Sequence, residues 1–134
     1  MSESRLDQRK KEYSNAVTRL KDALNQPVNE YLQDAAIQLF EFTYELAWKT
    51  LKLYLETKDI DVRNAKDTLK AAFEQGFIKN ADDWTELHQK SNLTNHTYDA
   101  ALAKEVYDFL KQKGIYLFST LDDQFQRLSI KCMN

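Results

Sequence analysis

Residues 32–57 of the chain read LQDAAIQLFEFTYELAWKTLKLYLET. Polar side chains recur along this stretch at steps of three and four residues, which is the spacing of one face of an α-helix. They are Asp34, Gln38, Glu41, Glu45, Lys49, Lys52 and Glu56. Almost all of the remaining circumference is apolar, and a helix of this kind is buried on more than one side. We therefore expect a long helix over Asn29–Thr57 and, because large exposed apolar patches are unusual on monomers, a homodimer with twofold symmetry.

The rest of the chain carries the signals of four further helices. They are a first helix from Arg5 to Asn25 ended by Pro27, a short third helix from Asn64 to Phe73 closed by Gly76, a fourth helix beginning at Asn80, and a last helix from Asp99 to Leu128. Gly114 in the last helix is expected to let another helix approach closely. Turns between strands favour glycine and proline, and the 134 residues include only two glycines and one proline, which argues against a β-sheet. The sequence predicts an all-α fold, a four-helix up-and-down bundle with a short extra helix, as one domain over residues 1–134.

Composition and charge exclude several classes of function. The formal charge of −2 provides no broad basic surface, so any contact with nucleic acid has to be local. There is no Gly-rich run to hold a phosphate, and the Gly-Ser turn of a minimal nucleotidyltransferase is absent. Two histidines and the single cysteine, Cys132, do not make a zinc site, and we expect no metal and no cofactor. No stretch has the length of a membrane span, which together with the cysteine count indicates a cytoplasmic protein.

Three stretches carry a resemblance to a known family. They are residues 37–49 (IQLFEFTYELAWK), residues 72–78 (AFEQGFI) and residues 91–99 (SNLTNHTYD). In this order they resemble the nucleotidyltransferase substrate-binding family, which belongs to the HEPN superfamily of helical domains. The similarity extends from Leu32 to Leu121 and so covers most of the chain.

The resemblance implies a homodimer of helical bundles that associates with a separately encoded minimal nucleotidyltransferase, as in a toxin–antitoxin pair. It also implies a relation to metal-independent HEPN ribonucleases, whose motif is an arginine and a histidine separated by four to six residues. Asn92 and His96 match that motif and are the candidate catalytic residues. Tyr98 matches the tyrosine of its extended form. Ser91 stands where the arginine is expected, with Lys90 before it; Lys90, Ser91 and Tyr98 are the candidate binding residues for a nucleotide or RNA.

The serine weakens the case for catalysis. Metal-free RNA cleavage needs a group that titrates near neutral pH, which His96 supplies, and a fixed cation on the phosphorane oxygens. Ser91 supplies no charge, and Lys90 is a flexible point donor on a different side of the helix. We therefore predict a non-catalytic, substrate-binding partner subunit whose Tyr98 accepts AMP. The alternatives are a degenerate HEPN ribonuclease and a bundle with only an oligomerisation role.

Each singled-out residue also has a structural interpretation. His96 fits a polar turn, and the Tyr98 ring is expected to pack at the start of the last helix while its hydroxyl reaches solvent. Trp48 and Trp84 lie in apolar helical stripes, so we expect them in the core. Glu41 and Glu45 share a helix face, where ion pairs such as Glu45–Lys49 and Lys52–Glu56 are expected instead of a bound cation.

Overall fold

The computed structural model describes residues 4–27, 29–96 and 98–133, with side chains described as far as residue 128. Thr97, which belongs to the stretch 91–99 named above, and the side chain of Cys132 lie outside the described part. The helices are α1 (Arg5–Leu24), α2 (Glu30–Glu56), α3 (Ala65–Glu74), α4 (Ala81–Asn92), α5 (Ala100–Phe109) and α6 (Ile115–Met133), with a short 3₁₀ turn (Leu93–His96) after α4 and a π-helical segment (Leu110–Gly114) between α5 and α6. The predicted all-helical bundle is confirmed, and the described residues contain no β-strand.

Helix α2 is the central element of the bundle. It packs along α1 and also contacts α3, α4 and α5, while α6 packs against α1. The start of α1 lies beside the second half of α2, which makes these two helices antiparallel. This arrangement explains why α2 has so little polar surface: most of its circumference faces another helix.

Local capping signals fix most of the helix boundaries. The Asn29 side chain accepts a hydrogen bond from the Leu32 amide at 2.9 Å, and Asn64 accepts one from the Asp67 amide at 2.8 Å. Gly76 closes α3 with a φ of 73°, the left-handed conformation that its sequence position predicts. Asn80 is the exception. It begins α4 as predicted, but its φ of −100° and ψ of 69° leave its side chain without a capping hydrogen bond.

The core is one cluster to which all six α-helices contribute, and its aromatic centre lies between α1, α2, α4 and α6. Phe118 is fully buried, and its ring lies against those of Tyr13, Phe40 and Trp84 at centroid distances of 6.4, 6.1 and 6.1 Å. The Tyr13 hydroxyl donates to the Phe118 carbonyl at 2.7 Å, so the one polar atom of that buried ring is satisfied. The core position predicted for Trp84 is confirmed.

The apolar surface of α2 does not all enter this core. Leu46 is buried and Trp48 is half-buried, but Phe42 is 54% exposed and Tyr31 is 84% exposed. Tyr31 and Phe42 are eleven residues apart, which is close to three full turns, so they lie on one line along the helix. This exposed line is the surplus apolar surface that the sequence indicates.

The last helix differs from its prediction in two respects. An uninterrupted helix was expected from Asp99 to Leu128, whereas Leu110–Gly114 forms a π turn. A Cβ atom on Gly114 would lie 2.9 Å from Cδ2 of Leu110 and 3.5 Å from Cδ1 of Leu87 on α4. The tight contact is therefore with Leu110, one turn earlier in the same helix, whereas the distance to Leu87 is an ordinary van der Waals contact, so the prediction that Gly114 lets another helix approach closely is not confirmed.

Across the described ranges, no helix combines sufficient length with sufficient apolar character to cross a bilayer.

Candidate functional site

The sequence-predicted site lies where α4 ends and α5 begins. Lys90, Ser91 and Asn92 form the last turn of α4, and His96 ends the 3₁₀ turn that follows. The Asp99 carboxylate then caps α5 by accepting hydrogen bonds from the amides of residues 101 and 102 at 2.9 and 3.3 Å. The site is thus a surface corner, in which the chain reverses between two helices.

His96 and Tyr98 lie together at this corner. The Tyr98 hydroxyl is 3.5 Å from Nδ1 of His96, at the outer limit of a hydrogen bond, and the two rings meet edge to face with centroids 6.0 Å apart. The Tyr98 side chain is 85% exposed. The expectation that its ring packs on the helix start is therefore wrong, because the Asp99 cap turns the chain so that the residue before it projects into solvent.

Ser91 faces inward, towards α2. Its hydroxyl donates to the His88 carbonyl at 2.6 Å, and it also hydrogen-bonds the Tyr44 phenol. Tyr44 reaches across from the middle of α2, and its hydroxyl lies 2.6 Å from Nδ1 of His88. Tyr44, His88 and Ser91 form a polar cluster that ties the last turns of α4 to α2.

The rings of this cluster are uncharged at neutral pH. Burial raises the pKa of the Tyr44 phenol well above its usual value, although the Ser91 hydrogen bond opposes the rise. Burial also lowers the pKa of His88, and the positive charge of Lys66 lowers it further. A neutral imidazole has one ring nitrogen that donates and one that accepts, so a neutral His88 can share a hydrogen bond with the Tyr44 hydroxyl at Nδ1. The cluster therefore holds α4 in place without placing a cation at the Ser91 position.

Lys90 does not fill the place of the missing arginine in this structure. Its ammonium lies 3.0 Å from the Glu105 carboxylate and 5.7 Å above the Phe109 ring, both on α5, and its side chain is only 15% exposed. The Lys90 charge is thus partly neutralised on the face towards α5. Asn92 is exposed on the same turn.

Tyr44 and His88 are residues of this site that the sequence analysis missed. A usable signal was present, because His88 and Ser91 are three residues apart on one face of α4, and Tyr44 is a polar-tipped residue in the most apolar helix. Tyr44 and His88 are 44 positions apart in the sequence, and residue spacing alone does not indicate a contact over that distance. For the described residues, no group of three or more His, Cys, Asp or Glu side chains is arranged to hold a metal ion.

A family model described as nucleotidyltransferase substrate binding protein like matches residues 8–127. The match covers most of the chain and includes α2, the α4–α5 corner and most of α6. The chain belongs to this family, and the resemblance drawn from its sequence is confirmed.

Individual relatives agree with that assignment. The probable ribonuclease HepT of Haemophilus influenzae is 37% identical over 99 residues, which are 67% of this chain and 68% of the relative. A solved structure from Thermus thermophilus superposes with a TM-score of 0.78 at 26% identity, over 84% of this chain and 98% of that one. A second structure, from H. influenzae, is described as revealing the fold of a substrate binding domain of a nucleotidyltransferase. It superposes with a TM-score of 0.63 at 32% identity, over 90% and 96% of the two chains.

Proposed function

We propose that this chain is the non-catalytic partner subunit of a separately encoded minimal nucleotidyltransferase, in a two-component system of the toxin–antitoxin kind. In this proposal Tyr98 is the acceptor of an adenylyl group. The observation that carries it is the exposure of Tyr98, 85%, beside His96 at the α4–α5 corner. Family membership and the relative described as a nucleotidyltransferase substrate binding domain support the choice of partner. We place the pair in the cytoplasm, where nucleoside triphosphates are available.

The proposed transfer is a substitution at phosphorus. The Tyr98 oxygen attacks the α-phosphorus of ATP, a phenolic P–O bond forms, the bond to the bridging oxygen breaks, and pyrophosphate leaves. A phenol has a pKa near 10 and is a poor nucleophile at neutral pH, so the partner enzyme has to supply the base that takes its proton. The product carries a negative phosphodiester two residues from His96. That charge and bulk would exclude an RNA phosphate from the corner.

Intact-mass spectrometry tests the acceptor after co-expression with the proposed partner nucleotidyltransferase. We expect the native chain to gain the mass of one adenylyl group and the Tyr98→Phe variant to gain none. Tyr116→Phe is the matched control, because Tyr116 is another exposed tyrosine and should not affect the gain. An unmodified native chain, or an equal gain on Tyr98→Phe, would exclude Tyr98 as the acceptor.

A second candidate function is metal-independent RNA cleavage. The similarity to a relative named probable ribonuclease HepT favours it, as does the exposed imidazole of His96. The Ser91 position argues against it, because no cation occupies the place of the arginine and Lys90 is paired with Glu105. We therefore treat cleavage as the alternative to the binding role.

We further propose that the chain acts as a homodimer. Tyr31 and Phe42 form an exposed apolar line along α2, and covering it with a second copy would remove that surface from water. Light scattering should give twice the 15.8 kDa mass of one chain. Phe42→Glu should shift the protein towards a single chain, whereas Phe73→Glu on α3, also an exposed phenylalanine, should not. A native monomer at micromolar concentration would refute the dimer.

A further inference from the structure

A groove along the seam between the start of α1 and the second half of α2 lies outside the α4–α5 corner. It encloses about 300 Å³ and is lined by the side chains of Arg5, Arg9, Trp48, Lys49, Lys52 and Glu56. We propose that this basic groove binds the phosphate groups of a nucleotide or of single-stranded RNA. The inference goes beyond the proposed function, since it requires neither the partner enzyme nor the Tyr98 acceptor.

Charge is the first observation that supports a phosphate ligand. Four cationic side chains and one carboxylate line the groove, although the chain as a whole carries a net charge of −2. Glu12 and Glu45 offset two of these cations, so the groove and its rim keep a small excess of positive charge, in contrast to the chain as a whole. The basic groove is therefore the local positive surface that a phosphate-bearing ligand would need.

The existing ion pairs leave the cations available. Arg9 lies 2.7 Å from Glu12 and Lys49 lies 2.8 Å from Glu45, and all four side chains are at least 37% exposed. Exposed pairs of this kind contribute little and are readily exchanged for a phosphate. Lys52 forms no ion pair within the described residues, so the predicted Lys52–Glu56 pair is not observed.

Trp48 supplies the second feature of a nucleotide site. Its indole is half-buried against the core, and the remaining surface lines the groove next to Lys49, whose ammonium lies 6.0 Å from the ring centroid. A base stacks on an aromatic ring without regard to its identity, while the planar forks of Arg5 and Arg9 suit phosphate oxygens. An aromatic platform beside several cations is the arrangement by which single strands are bound.

The test uses the full-length chain alone. Fluorescence anisotropy would follow a labelled oligouridine, and ATP would be titrated separately. We expect the logarithm of the association constant to fall with the logarithm of salt concentration at a slope of about −2. This slope corresponds to roughly three phosphate contacts on a single strand. Arg9→Glu combined with Lys52→Glu should weaken binding about tenfold or more at low salt. Lys70→Glu, an exposed lysine of α3 outside the groove, should leave it unchanged.

Tryptophan fluorescence locates the ligand. We expect ligand to quench the emission of the native chain and of Trp84→Phe, because Trp84 is buried in the core, and not that of Trp48→Phe. Circular dichroism melts would check that each variant is folded. If the double variant does not fold, Lys52→Gln should still weaken binding several-fold.

The outcomes separate the possible ligands. Binding of the oligouridine without ATP identifies an RNA backbone, binding of ATP alone identifies a free nucleotide, and both results support the groove. Failure of both ligands to bind, or equal binding by the native chain and the double variant, would overturn the inference. Neither result changes the expected adenylyl gain on Tyr98, which is measured with the partner enzyme, so the two proposals fail separately.

Discussion

Replacing Phe118 with alanine should lower the free energy of unfolding by about 3–5 kcal/mol. Phe118 is fully buried, and its ring contacts residues from α1, α2 and α4. Removal of the ring takes away its transfer free energy and leaves a cavity that three helices cannot easily close. Since a domain of this size is stable by only about 5–15 kcal/mol, the change is a large part of the total.

Urea unfolding followed by circular dichroism measures this effect. Tyr116→Ala is the matched control, because Tyr116 is an aromatic residue of the same helix, two positions earlier, and is 65% exposed. Its replacement should change the free energy of unfolding by roughly 0.5 kcal/mol or less. Equal losses for the two variants would show that α6 is rotated relative to the face described above.

Replacing Ser91 with arginine should create or raise metal-independent RNA cleavage. The arginine would place a permanently charged, planar donor on the turn that leads to His96, where a phosphorane gathers negative charge. A single preorganised donor of this kind is worth about 100-fold or more in rate. Ser91 is half-buried and faces α2, so the longer side chain has to turn away from Tyr44 to reach solvent, and circular dichroism would check that the variant folds.

Cleavage of a labelled RNA in EDTA provides the measurement. His96→Ala in the Ser91→Arg background should remove the new activity, and Ser91→Lys should produce less of it, because an ammonium lacks the arginine fork. Robust cleavage by the native chain that Lys90→Ala abolishes would instead show that Lys90 leaves Glu105 and acts as the cation. No cleavage by any variant would leave the binding role as the better account of the corner.

The elements that the sequence predicted are those specified by local chemistry. The helix starts at Asn29 and Asn64 depend on a side chain and an amide three residues apart, and Gly76 depends on its own backbone freedom. These signals lie within a few residues of each other and are visible in the sequence. Asn80 carries the same signal without the hydrogen bond, which shows that such a pattern indicates a boundary better than it indicates a contact.

The features that the sequence did not reveal are set by tertiary packing. The corner residues were named from the family resemblance, but their directions follow from neighbours on other helices: Ser91 turns towards Tyr44 on α2, and Lys90 turns towards Glu105 on α5. Helix periodicity placed Lys90 and Ser91 on different sides of α4 without showing what lies on either side. The exposed Tyr98 ring likewise depends on the chain direction set by the Asp99 cap.

The π turn at Leu110–Gly114 sets the rotation of α6 about the helix axis relative to α5, within the longest continuous helix of the described residues. Each residue of an α-helix advances the side-chain direction by about 100°, and a π turn absorbs one residue beyond the α-helical repeat. Loss of one residue together with the π turn would therefore let the helix continue as a regular α-helix with its later residues facing almost the same way, whereas loss or insertion of a residue elsewhere before Phe118 would rotate those residues by about 100°. Phe118 and Phe125 would then swing away from Tyr13, which both rings now contact. The π turn thus keeps the buried face of α6 directed at the core although the helix carries one residue more than a regular α-helix would need.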